Sequence, residues 1–250
     1  MTVDRAYWIS WYDLPDAGRE EYLAWAHEIY IPKVLARPGV TWAAHYASLP
    51  KGDFTPLGGG RIAHRKDPEG VPKGDRFIMI FGAPDPYALA SPSPGEFHGS
   101  LPETDRKMLA LRREERVNLM IEEARVYGPD ADPADPAATP LAACIQLGSF
   151  NVQTHEQEET LAAWYARWRI PSMREVPGCV RVRKLVSVAG WAKHACFYEF
   201  TSAELREKHF IHYERAHPGM VEWSTSVVRD TVHAPGSANV ALRIWPPIAG

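Results

Sequence analysis

From Ala6 to Tyr12 the chain is apolar or aromatic at every position but Ser10, a run short and rich in β-forming side chains on both of its faces. It predicts a strand covered on both sides. The pattern then changes to helical spacing from Glu20 through Trp25 to Ile31-Pro32, where proline disrupts the helix, and Pro38-Gly39 turns the chain into a strand from Val40 to Tyr46. A third strand is predicted over Phe77–Phe81, a second helix around Asp105 to Asn118, and a closing strand near Ile121 to Tyr127.

The same order recurs. Glu20-Glu21-Tyr22-Leu23-Ala24-Trp25, Ile31-Pro32 and Pro38-Gly39 are answered at one constant offset by Glu159-Thr160-Leu161-Ala162-Ala163-Trp164, Ile170-Pro171 and Pro177-Gly178, with Ser10 and Ser149 in register on the preceding strands. The second copy continues with strands over Val180–Leu185 and Ala195–Phe200, a helix around Ala203 to Arg215 and a strand near Ser226 to His233. Two βαββαβ orders in succession predict an α+β fold of two tandem ferredoxin-like units. Residues 1–128 form the first, 129–140 a Pro/Asp/Ala linker, and 141–250 the second. Each unit would leave one apolar sheet face open, so the copies are expected to pack sheet to sheet as an intramolecular barrel.

Local signals refine this outline. Asp13 or Asp16 can cap the first helix, and Thr154 with Gln157 forms a capping-box pattern on its counterpart. The first copy carries a long insertion, near 50–75, where the second has a short turn around Ala189-Gly190-Trp191. Loops of that length are often lids, and a further irregular stretch from Ser91 to Gly99 also lies in the first half, which makes that half the expected seat of function.

Composition narrows the partners. Hydrophobic residues at 45% and charged residues at 24% are ordinary for a globular chain, and a net charge of −3 gives no attraction to nucleic acid or anionic lipid. Lys107, Arg112, Arg113 and Arg116 alternate with Glu114 and Glu115 and read as a solvated helix face. There is no apolar run of membrane-spanning length, and Met1 to Arg5 lacks the layout of a signal peptide. Three widely spaced cysteines, Cys144, Cys179 and Cys196, fit a reducing cytoplasm.

The helix Tyr22-Leu23-Ala24-Trp25-x-His27-x-x-Tyr30-x-Pro32, followed by Pro38-Gly39 and a strand ending at Tyr46, resembles the dimeric α+β barrel superfamily, nearest its EthD-like branch. The second half repeats Trp164, Pro171 and Pro177-Gly178 but has Ala166 in place of His27. The resemblance implies a tandem fusion of what is elsewhere a homodimer. It also implies a range of activities, from cofactor-free oxygenases, isomerases and cyclases to haem enzymes, among which fold alone does not choose.

Candidate chemistry centres on His27, which shares a helix face with Leu23, Tyr30 and Val34 and so points toward the sheet. A catalytic base and a buried histidine satisfied by a carbonyl are both compatible with that placement. His45 and Tyr46 point to opposite faces of their strand, so only one can join His27. The catalytic candidates are therefore His27, His45 and Tyr30. Trp8, Trp11, Trp25, Trp42 and Tyr46 would offer apolar walls, or ordinary core, and Arg183 is either a clamp for a substrate carboxylate or an ion-pair partner of Glu199. His209 and His212 share a helix face that could ligate a metal or haem, although neither a carboxylate nor a third histidine completes a motif. Leu57 to Arg61 lacks the context of a phosphate loop.

The sequence thus predicts a cytoplasmic protein that binds a small, aromatic or polycyclic molecule and performs cofactor-independent acid–base catalysis of isomerase, cyclase or oxygenase type, consistent with catabolism. A haem-dependent barrel enzyme and a non-catalytic accessory partner of an oxygenase are the alternatives. Further association of tandem chains into a homodimer is one expectation; nucleic acid and membrane partners are not expected.

Overall fold

The computed structural model describes residues 4–50, 68–132, 134–135, 141–210, 213 and 216–248. The run of β-formers at the start is strand β1 (Ala6–Asp13), and its inward and outward side chains are all buried from Ala6 to Tyr12. Helix α1 (Arg19–Trp25) passes through a π-helical turn (Ala26–Tyr30) into α2 (Ile31–Leu35). Pro32 lacks an N–H for the Glu28 carbonyl, and the ladder adapts by one wider step, Ile31 N–H donating to the Ala26 carbonyl. The second half repeats the device: α6 (His155–Trp164), a π turn (Tyr165–Arg169) and α7 (Ile170–Ser172), again at a proline.

Strands β2 (Trp42–Ser48), β3 (Phe77–Ala83) and β4 (Arg113–Tyr127) complete the first half, with short helices α3 (Tyr87–Ala90), α4 (Pro94–Ser100) and α5 (Glu103–Leu109) between β3 and β4. The second half supplies β5 (Cys144–Asn151), β6 (Cys179–Ala189) and β7 (His194–Phe200). It ends with α8 (Ala203–Leu205) and its π turn Arg206–Phe210, α9 (Pro218–Asp230), the short β8 (Val232–His233) and β9 (Asn239–Trp245).

The strands run β7-β6-β4-β1-β3-β2-β9-β5, and β5 pairs back onto β7, closing an antiparallel barrel of eight strands with β8 appended to β5. Within it the first half is ordered β4-β1-β3-β2 and the second β9-β5-β7-β6. The halves therefore join edge to edge, through β4–β6 and β2–β9, rather than as two separate sheets laid face to face. Closure removes the exposed edges that each half would otherwise present.

Three apolar clusters follow from strand alternation. The barrel interior takes Tyr7, Ile9, Trp11, Tyr46, Ile78 and Ile80 from the first half and Ile145, Leu147, Leu185 and Phe197 from the second. Each half also has a cluster between its outer sheet face and its helices.

Several local expectations are met. Gly39 and Gly178 both adopt positive φ, 85° and 84°, as a Pro-Gly turn requires, and Thr154 and Gln157 form the capping box. Others are corrected. Gly18, not Asp13 or Asp16, caps α1; the Asp13 carboxylate instead accepts the Asp75 and Arg76 N–H groups at 2.9 Å each. The second helix of the first half ends at Leu109, because the long strand β4 claims Arg113 onward, pairing with β1 from Arg113 and with β6 from Leu119. Arg112 and Arg116 are consequently buried, not members of a solvated face. Ser226 to His233 is largely helix α9, whose Ser224 and Val227 face inward, and the closing strand is Asn239–Trp245. Ser10 and Ser149 are not equivalent: β1 and β5 start at 6 and 144, so one residue of offset is absorbed before the helices, and alternation sends Ser10 outward and Ser149 into the barrel.

Candidate functional site

The face of β1, β2 and β3 that meets α1, the π turn and α4 carries a polar chain inside an aromatic cluster. His45 is wholly buried on β2; its Nδ1 lies 2.9 Å from His27 Nε2, and its Nε2 lies 2.8 Å from the Tyr12 hydroxyl. Tyr12 packs edge-on against Tyr22, ring centroids 5.9 Å apart, and Arg112 Nε donates to the Tyr22 hydroxyl at 2.6 Å. A hydrogen-bonded chain thus runs Tyr12, His45, His27, with the Arg112–Tyr22 pair packed against its inner end. Its inner members are buried and its outer member, His27 on the π turn, is half-buried.

Arg112 anchors this assembly. Its guanidinium stands 4.5 Å from the Tyr12 ring centroid and 4.9 Å from that of Tyr30, and its Nη1 pairs with Glu115 at 2.6 Å. Burial alone would weaken its charge, but Tyr22, Glu115, Tyr30 and Tyr12 together hold its pKa well above the ordinary arginine value. A second arm starts at Tyr30, whose hydroxyl is 2.8 Å from His98 Nε2 on α4.

Electrostatics keep the imidazoles neutral. Burial lowers the pKa of His27, and lowers that of His45 well below the usual value, reinforced there by His27 and Arg112. Burial and then Arg112 bring His98 down to about 4. The same desolvation raises the phenols of Tyr12, Tyr22 and Tyr30. At neutral pH the chain holds uncharged donors and acceptors that can reverse polarity. With His27 Nε2–H donating to His45 Nδ1 and His45 Nε2–H donating to Tyr12, the outer nitrogen of His27 is a free base; with each bond reversed it is a donor.

Of the predicted residues, His27, His45, Tyr30, Trp8 and Trp25 come together here, with the Trp8 ring centroid 5.5 Å from that of His98. The Trp25 ring lies 5.3 Å from Tyr30, and its Nε1 donates to Asp105 at 2.9 Å. The remaining four do not join them. Trp11, Trp42, Tyr46 and Arg183 lie on the other side of the sheet, inside the barrel, as strand alternation demands. Arg183 is an ion-pair residue, 3.0 Å from Glu199, which Arg181 also clamps through two bonds of 2.6 and 2.7 Å; Tyr46 donates to the Ala142 carbonyl at 3.3 Å.

Sequence reasoning missed Tyr12, Tyr22, His98, Arg112 and Trp245. Trp245, on the last strand, stacks near His27 with centroids 6.3 Å apart, so the second half contributes to the site. His98 had a usable signal, the Ser93/Glu96 capping box that starts α4. Arg112 had none, because an Arg/Glu run looks the same on a solvated helix as at the entry to a buried strand.

At the equivalent place in the second half the group is different. Lys184 Nζ lies 2.9 Å from His194 Nδ1, and His194 Nε2 lies 2.8 Å from Glu158. The residues considered for a metal or haem, His209 and His212, belong to the second half. His209 is half-buried on the π turn after α8, and the layer between that helix and the sheet is filled by Trp164, Tyr165, Tyr198, Phe200 and Phe210, with the Arg169 guanidinium 4.4 Å from the Phe210 ring. His212 lies outside the described residues, as does the part of the expected lid over 51–67, which includes the Gly-rich run. No group of three or more His, Cys, Asp or Glu side chains among the described residues is arranged to hold a metal ion. An open apolar depression of about 460 Å³ lies elsewhere in the second half, between Trp168, His217, Met220 and Trp223.

No protein-family model matches the chain, and neither does any curated protein. Solved structures do. An anthrone oxidase-like protein superposes with a TM-score of 0.58 at 11% identity, covering 96% of this chain and 91% of its own. A dye-decolorizing protein from V. cholerae gives 0.53 at 13% identity, covering 97% and 95%. The chain has the α+β barrel fold. At these identities the likeness extends to architecture alone. No helix among the described residues is long and apolar enough to cross a membrane.

Proposed function

We propose that this protein is an enzyme that takes a proton from a small, flat, aromatic carbon acid without a cofactor, using His27 as the group that meets the substrate. The reading rests on one observation, the hydrogen-bonded sequence of His27, His45 and Tyr12 with both imidazoles held neutral by burial. His27 accepts the substrate proton on its outer nitrogen while the bonding electrons stay on carbon, giving an enolate or phenolate. His27 Nε2–H stays donated to His45 Nδ1 and His45 Nε2–H to the Tyr12 oxygen, so the positive charge gained by His27 is spread over the two imidazoles without a further acceptor. His45 is a positioning residue in this scheme. Tyr30 and His98 orient the substrate's oxygen, and Trp25 and Trp245 bound the aromatic space.

Anthrones are polycyclic carbon acids, so the name of one fold neighbour is in keeping with such a substrate. The same reading takes the chain as two diverged ferredoxin-like units, 1–128 and 141–250, of the EthD-like type, joined by 129–140, in which only the first kept the histidine. Isomerisation or cyclisation of the enolate, or its oxidation by dioxygen, are alternative fates of one intermediate.

The test is hydrogen–deuterium exchange. Anthrone and simple phenylacetyl ketones incubated with the protein in D2O under argon should exchange their acidic hydrogens faster than in buffer, as followed by proton NMR, and His27→Ala should abolish the difference. Binding of these compounds with no accelerated exchange would make the protein a carrier and sink the enzymatic reading.

A further inference from the structure

The barrel interior holds a second polar constellation that the His27 chain does not use. Trp11 on β1 and Arg116 on β4 face each other across the ladder and both turn inward, with the guanidinium carbon 4.7 Å from the Trp11 ring centroid. Arg116 is 5% exposed and Trp11 not at all. Arg116 Nη1 donates to the Gly74 carbonyl at 2.9 Å, with a longer contact of 3.5 Å to that of Pro72, but Nε and Nη2 have no hydrogen-bond partner, and neither does Trp11 Nε1. Asp75 and Asp13 influence Arg116 only at a distance, and burial brings its pKa down to about 10.

A buried cation with unanswered donors is costly unless something answers them. Nε and Nη2 form the side edge of the guanidinium fork, the edge whose two parallel N–H bonds match the two oxygens of a carboxylate. Two more unpartnered polar atoms are buried on β9 and β5, which pair with each other across the barrel from β4 and β1. Asn239 Oδ1, whose amide nitrogen donates to the Asp75 carbonyl at 3.0 Å, sits opposite Leu147, and Ser149 Oγ is two residues further along. Ala195, opposite Ser149, and Ala241, two residues from Asn239, give small side chains at these rungs.

We infer that this end of the barrel interior binds a small hydroxycarboxylate. Its carboxylate lies on the Arg116 side edge and the Trp11 N–H, and its hydroxyl donates to Asn239 Oδ1. The site is independent of the proposed chemistry at His27, on the opposite face of the sheet.

Glycolate is the probe, with acetate, inorganic phosphate and chloride at matched ionic strength as comparison arms. Glycolate should raise the urea midpoint saturably, and at a hundred times its Kd the folded-to-unfolded ratio should rise about 100-fold. Acetate should act more weakly, and phosphate and chloride should give no saturable shift. Trp11→Phe, which keeps the ring in the core and removes one donor, should weaken glycolate about tenfold. Arg116→Met should abolish the response while leaving the ligand-free protein at least as stable as the parent. The inference is overturned if glycolate gives no saturable shift, if Arg116→Met retains it, or if phosphate stabilises equally. It is also overturned if Arg116→Met is less stable without ligand, since Arg116 would then be a clamp on the Gly74 carbonyl; a variant that fails to fold counts the same way, and an unchanged glycolate response in Trp11→Phe overturns the Trp11 contact.

Discussion

His27 and His45 approach to 2.9 Å through Nε2 and Nδ1, from a helix and a strand that the sequence separates by a proline and a turn. Two imidazoles at that distance cannot both be charged without strong repulsion, and burial already disfavours even one charge. Because their pKa values are lowered in the folded protein, the unfolded chain binds more protons than the folded one as pH falls below about 6.5. Stability from these neutral rings is therefore fully present above that pH and is lost on acidification toward the folded values, about 4 for His98. Urea midpoints should fall steadily from pH 7 to pH 4. A flat profile across that window would contradict the buried, neutral chain, as would a folded-state NMR titration of His98 with a midpoint near 6.5.

Removing the inner hydroxyl tests the chain as a unit. Tyr12→Phe leaves His45 Nε2 buried without a partner, an unmade bond that costs about 1–3 kcal/mol. In a His45→Leu background the same change should cost less, with a coupling of at least about 0.5 kcal/mol in the double-mutant cycle. Additive losses in urea denaturation would mean that Tyr12 and His45 do not act on each other.

For activity the two histidines should separate. His27→Ala removes the proton acceptor and should lower turnover by about 10²–10⁴-fold. His45→Gln keeps a polar group at the centre of the chain and should depress kcat more than it raises KM, while displacing the acid limb of the pH–rate profile. Equal losses in kcat from both variants with unmoved pH limbs would argue against a relay and for a shared structural role.

The particular residues show what the chain made legible. Periodicity and the constant offset revealed the strand–helix–strand–strand opening of both halves, and the small rule that a strand's neighbours face opposite ways allowed only one of His45 and Tyr46 to meet His27; the structure places His45 there. The same rule separated Trp11, Trp42 and Arg183 from that site, but only once their strands were placed. Arg112 was invisible for a physical reason: its burial depends on the start of β4 pairing with β1, some 100 residues away, and on three tyrosines contributed by β1, α1 and the π turn. Local charge pattern carries no trace of such non-local pairing. The closing strand was misplaced because Val227 and Val228 favour strands locally, whereas packing places α9 against α6, with Trp164 Nε1 donating to Ser224 at 3.0 Å.

Arg112 should be among the least replaceable residues. Its loss leaves Glu115 without its partner at 2.6 Å and three buried tyrosines without their cation. Arg112→Met should destabilise by about 3–5 kcal/mol, the range for breaking one side of a buried ion pair. Arg112→Lys should rescue little, since a point charge cannot hold Tyr22 and Glu115 at once in the planar fork geometry. Chemical denaturation decides this, and a loss below about 1 kcal/mol for Met would remove Arg112 as the anchor of the site.

The halves are coupled through closure of the barrel, and this makes the last prediction. Residues 1–128 alone would expose the β4 and β2 edges and the inner face formed by Tyr7, Ile9, Trp11, Tyr46, Ile78 and Ile80. An unpaired edge next to an apolar face is a template for pairing with another chain. The isolated first half should therefore either aggregate or associate into a dimer that rebuilds an eight-stranded barrel from two copies, with sedimentation showing no stable monomer. It should also lose the Trp245 ring beside His27, because that residue arrives on β9. Adding residues 141–250 in trans should restore a 1:1 complex. A first half that stayed monomeric with a cooperative urea transition would mean that its inner face does not need the second half for cover.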